Sequence, residues 1–119
     1  MPTINGAHVI VYSTDAEADR AFIRDTLGFG GVDAGGGWLI FKLPPAEIAV
    51  HPTDGPSRHE LYLMCDDIDG LLGDLGARGV EIATPITDQG WGRLASIRLP
   101  SGAELPIYEP RHPRAHAPR

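Results

Sequence analysis

"HELYLMCDDID", residues 59–69, decides the fold, because "HVIVYSTDAEAD", residues 8–19, follows the same plan. Each begins with a histidine and reaches an aspartate seven residues later, at Asp15 and Asp66. Superposing His8 on His59 is a shift of 51 residues, and the same shift carries Gly28 onto Gly79. The apolar runs after the histidines read as strands: Val9 to Tyr12 is wholly β-branched or aromatic, and Leu61 to Leu63 sets an aromatic between two leucines. Ile68, Leu71, Leu72 and Leu75 then fall at i, i+3, i+4 and i+7, one buried stripe of a helix. Asp67 and Asp69 suit the positive end of that helix. Thr14 or Asp15 is expected to cap the earlier helix, whose apolar face is weaker (Ala18, Ala21, Phe22). Gly28 and Gly79 supply the left-handed residue that ends a helix.

The remainder of each half also repeats. A short strand is expected near Gly30–Val32 and again near Val80–Ala83. "GWLIFKLPPAEIAVHP", residues 37–52, and "GRLASIRLPSGAELPIYEP", residues 92–110, each read as strand, proline-containing turn and strand. The expected organisation is one α+β domain over 1–119, made of two β-α-β-β-β modules forming a cupped, barrel-like mixed sheet. Module one covers about 4–52, a linker 53–58, module two about 59–110, and a flexible tail 111–119. A half this short cannot bury a full core by itself, so the two are expected to face each other across a hollow.

Paired modules of this kind, each opening on a strand histidine seven residues before an aspartate, resemble the vicinal oxygen chelate superfamily. That group includes glyoxalase I, extradiol dioxygenases, fosfomycin-resistance transferases and bleomycin-resistance proteins. The resemblance covers about residues 4–110, through "HVIVYSTDAEADRAFIRDTLGF" and "HELYLMCDDIDGLLGDLGARGVEI". It implies the fold; activity varies across the group.

In metal-using members the ion sits in the cup, bound by the first and last strand of each module. The resemblance places His8 and His59 at two ligand positions, suited to Fe, Mn, Ni or Zn. The family's glutamate, four residues after the turn glycine, falls here on Pro106 and, in module one, near Ala49. Neither can bind a metal. If Leu105 and Ile107 pack on the helix, alternation points Glu104 and Tyr108 into the cup. The same count gives Glu47 and His51 in module one. Each is displaced by two residues, about 6.5 Å along a strand. Glu60 is expected to point away.

The candidate site is therefore His8 and His59 as metal ligands, with Glu104, Glu47 or His51 completing the set. Glu104 and Glu47 are also the candidate catalytic carboxylates. Ile10, Tyr12, Leu61, Leu63, Trp91, Arg93 and Tyr108 would line a ligand pocket. His112 and His116 read as tail residues. Gly35–Gly37 precede a strand, not a helix, so they form a turn and not a phosphate cradle.

Two functions follow. One is a protein that binds a small molecule in an apolar cup with two histidine anchors, as a binding protein or a divergent enzyme, which the absent glutamates favour. The other is a divalent-metal-dependent lyase, isomerase or dioxygenase, the metal acting as a Lewis acid on vicinal oxygens. Ten basic against sixteen acidic residues, net −6, argue against nucleic acid and anionic membranes. The partner is a small molecule, and the resemblance implies a homodimer. The one cysteine, Cys65, excludes an internal disulfide. With no signal-like N-terminus and no long apolar run, a cytoplasmic location is expected.

Overall fold

A computed structural model describes residues 8–47, 49–113 and 115 of the chain. The expected opening of module one before residue 8, Ile48, and the tail's Arg114 and His116 to Arg119 lie outside them. The elements in order are α1 (Ala16–Asp25), β1 (Gly31–Asp33), β2 (Leu39–Phe41), β3 (Leu63–Met64), α2 (Ile68–Ala77), β4 (Ile82–Asp88), β5 (Gly92–Arg98) and β6 (Glu104–Pro110).

Module two follows the expected order, β-α-β-β-β. Its sheet runs β3-β6-β5-β4, with β3 parallel to β6 and the other pairs antiparallel. Ile68, Leu72 and Leu75 of α2 pack on Ala95, Ile97, Leu99, Leu105 and Ile107. Ile68, Ile97 and Ile107 are fully buried, and each such burial stabilises by roughly 1.5–3 kcal/mol. The caps follow from sequence. Asp67 accepts a hydrogen bond from the Gly70 amide, and Asp15 does the same for the Ala18 amide of α1. Gly28 and Gly79 lie in the left-handed region at φ 75° and 83°. The Glu109 carboxylate accepts from the Ile68 amide, tying β6 to the start of α2.

Module one is less complete. Among its described residues, only α1 and the two-stranded β1-β2 sheet form. The expected opening strand, Val9 to Tyr12, and closing strand, around 47–51, have no ladder partner among the described residues. Pro44, Pro45 and Pro52 remove amide donors from the closing segment. Val9, Ile10, Val11, Tyr12, Trp38 and Val50 are consequently exposed. The fold is thus α+β with a cupped mixed sheet in module two and a separate hairpin, and the sheet does not close into a barrel.

Polar contacts join the modules. Asp19 of α1, only 4% exposed, accepts from the Ser101 amide (3.0 Å) and the Ser101 hydroxyl (2.8 Å) at the β5–β6 turn. The Arg78 guanidinium donates to the Thr26 and Asp25 carbonyls at the other end of α1. Within module one, the Arg20 guanidinium lies 4.6 Å from the Trp38 ring centre and holds the hairpin to the helix. No helix among the described residues is long and apolar enough to cross a membrane.

Candidate functional site

The β5–β6 register assigns the two faces of module two. Ala95 pairs with Ile107 and Ile97 with Leu105, all buried against α2. The opposite face carries Leu94 beside Tyr108, Ser96 beside Pro106 and Arg98 beside Glu104. Glu104 and Tyr108 therefore lie away from the helix, on the cup face. Tyr108 is paired with Met64 across the parallel ladder.

This register puts Leu61 and Leu63 on the helix side, where they pack against the core. The cup face receives their neighbour Tyr62 instead, whose ring meets Tyr108 at 6.1 Å between centroids. Trp91 meets Tyr108 edge-on at 5.4 Å. Both contacts have the T-shaped geometry that aromatic quadrupoles favour. Tyr108 lies directly over Gly92, where a Cβ would collide with its ring, so the missing side chain makes the seat. Burial, and secondarily the Glu47 charge, raises the Tyr108 phenol above its ordinary pKa. Burial and the bond from its hydroxyl to Glu60 do the same for Tyr62.

Glu104 is fixed by two hydroxyls. Its Oε1 accepts from Ser96 Oγ (2.7 Å) and Thr84 Oγ1 (3.2 Å). These bonds, Ser96's first, hold its carboxyl below the usual range. A hollow of about 250 Å³ lies beside it, lined by Val11, Glu60, Leu61, Tyr62, Glu104, Leu105 and Pro106. Glu60, expected to point away, thus shares a hollow with Glu104. Glu47 stands near the tail: its Oε1 is 3.6 Å from His112 Nε2, and its Oε2 accepts from the Ala115 amide at 2.8 Å.

The other expected residues are placed apart from this group. His8, His51 and His59 are exposed in segments without regular structure, and Ile10 and Tyr12 are exposed beside His8. Arg93 lies on the helix side of β5, paired with Asp69 at 2.6 Å and 4.0 Å from Glu109. Among the described residues, no three His, Cys, Asp or Glu side chains come together in a way that could hold a metal ion. Among the described residues, no three of His8, His51, His59, Glu47 and Glu104 are brought together.

Sequence reasoning missed Tyr62, Glu60 and His112. For the first two the signal was absent: residues 61–64 are apolar at both parities, and a one-residue shift exchanges the faces. His112 has no local signal at all, because its partner Glu47 lies far back in the chain.

The sequence profile of the Glyoxalase/Bleomycin resistance protein/Dioxygenase superfamily matches residues 6–111. The chain belongs to that superfamily. Its solved structural neighbours include TnmS3, an antibiotic binding protein from Streptomyces sp. CB03234. That protein is 26% identical over 92% of this chain and 99% of its own, with a TM-score of 0.66. A lactoylglutathione lyase from Agrobacterium tumefaciens matches with 18% identity over 92% and 96%, TM-score 0.64. A protein of unknown function from Agrobacterium tumefaciens str. C58 matches with 20% identity over 92% and 96%, TM-score 0.62. These last two share the superfamily fold. No curated protein matches the chain.

Proposed function

We propose that this superfamily member is a binding protein that takes a small, partly planar molecule on the cup face of module two without a resident metal. The observation that carries the reading is the aromatic group of Tyr62 and Trp91 packed on Tyr108, whose ring lies over Gly92. Rigid aromatic walls with a few placed carboxylates suit orientation of a ligand. The likeness to an antibiotic binding protein supports binding over turnover. A metal-dependent lyase, isomerase or dioxygenase is less well supported, since the described donors do not converge.

The exposed apolar residues of module one support a homodimer in which a second copy covers them. Sedimentation should then give twice the mass of one chain. The single Cys65 is consistent with a reducing, cytoplasmic setting.

The test is calorimetric titration with planar antibiotics, catechols and dicarbonyls, beside elemental analysis of untagged protein. Binding without turnover or stoichiometric metal is expected, and Trp91→Ala should weaken it roughly 10-fold or more. One equivalent of metal together with product formation would sink the reading.

A further inference from the structure

The tail folds back onto the aromatic group. The Arg111 amide donates to the Trp91 carbonyl at 3.0 Å, and the Arg111 guanidinium pairs with Asp88 at 2.6 Å. This brings the His112 ring to 5.7 Å from Tyr108, tilted by 41°. Tyr108 thereby meets three rings, those of Tyr62, Trp91 and His112.

Both imidazole nitrogens face acceptors. Nδ1 lies 2.8 Å from the Pro113 carbonyl oxygen, which can only accept, so this nitrogen donates. Nε2 lies 3.6 Å from a Glu47 carboxylate oxygen, which also accepts when ionised. The occupant of this corner is thus a planar nitrogen ring against an aromatic ring, with a carboxylate near its edge, an arrangement that also suits a planar cation. Glu47 has no arginine or lysine ion-pair partner among the described residues, whereas Arg93 and Arg111 are already matched by Asp69 and Asp88. His112 is held loosely: its side chain is 39% exposed, and exposed ion pairs stabilise little.

We propose that this corner is a subsite for a planar cationic group of the ligand, of amidinium, imidazolium or aminopyridinium type, and that His112 fills it until such a ligand displaces it. The inference rests on the small-molecule reading above and names the charge class of its ligand. Tyr108 supplies the ring face, Glu47 the charge, and the tail an internal competitor that lowers apparent affinity.

The test uses three molecules of one shape and different charge: benzamidine, benzamide and benzoate. They are titrated into the full chain, His112→Ala, and His112→Ala/Glu47→Gln. His112→Ala should bind benzamidine about five-fold more tightly than the unaltered chain. It should also prefer benzamidine to benzamide by about five-fold, with benzoate weakest. Glu47→Gln should abolish that preference. Equal benzamidine affinity in the unaltered chain and His112→Ala overturns the proposal, as does absence of the charge order in natively folded His112→Ala or its persistence in His112→Ala/Glu47→Gln. If neutral planar compounds still bind in a Trp91-dependent way, only the subsite fails. If nothing planar binds to any form, the binding reading falls with it.

Discussion

Helix α2 buries Ile68, Leu72 and Leu75 against the sheet, whereas the one fully buried residue of helix α1 is charged, Asp19. The two helices stand in equivalent places of a repeated plan, yet they attach differently. Module two is held by apolar area, and module one joins it through directional polar contacts together with Phe22 and Leu27, which pack on module two's core. A repeated sequence therefore does not impose equal stability on its copies. What separates them is whether the flanking strands find partners. Strands β5 and β6 pair along seven residues, while β1 and β2 pair along three.

The sharpest way to break this comparison is to truncate a β-branched side chain to alanine in each half. Ile97→Ala should cost about 2–5 kcal/mol in urea unfolding, as large-to-small core changes do. Val32→Ala, at an exposed position of β1, should stay within about 0.5 kcal/mol. Equal losses would mean that module one carries a core of its own. Next is the joint between the halves: Asp19→Ala leaves the partly buried Ser101 donors without an acceptor and should cost about 1–3 kcal/mol. Hydrogen exchange should then show faster opening in 16–41 than in 92–110. Gly92→Ala, which forces Tyr108 off its seat, should impair planar-ligand binding by more than it lowers the melting temperature. The smallest effect concerns Glu104. Its folded pKa is depressed by the Ser96 and Thr84 hydroxyls. Its contribution is therefore present above the ordinary glutamate value and lost as pH falls through the lower, folded value. Ser96→Ala should move the Glu104 carboxyl titration upward by NMR and leave a smaller stability loss on acidification. An unchanged titration would refute the assigned bond.

The helices, their caps and the stop glycines were legible because their signals are local: the stripe from Ile68 to Leu75, Asp15 and Asp67, Gly28 and Gly79. The inward face of β6 was legible as well, since Leu105 and Ile107 alternate cleanly with Glu104 and Pro106. The face assignment near His59 was not, because Leu61, Tyr62, Leu63 and Met64 offer apolar side chains to both sides. The missing strands of module one were not legible either. Val9 to Tyr12 have strand-like side chains, but a ladder depends on a neighbour, and strand propensity carries little information about one. The contact between Glu47 and His112 depends on tertiary closure alone.

Helix α1 is pinned near its start by Asp19 on Ser101 and at its end by Arg78. Two pins at the ends of a rod fix its axis. Phe22 and Leu27 also lean on the larger half's apolar core, so turning the rod about that axis uncovers grease as well as breaking the pins.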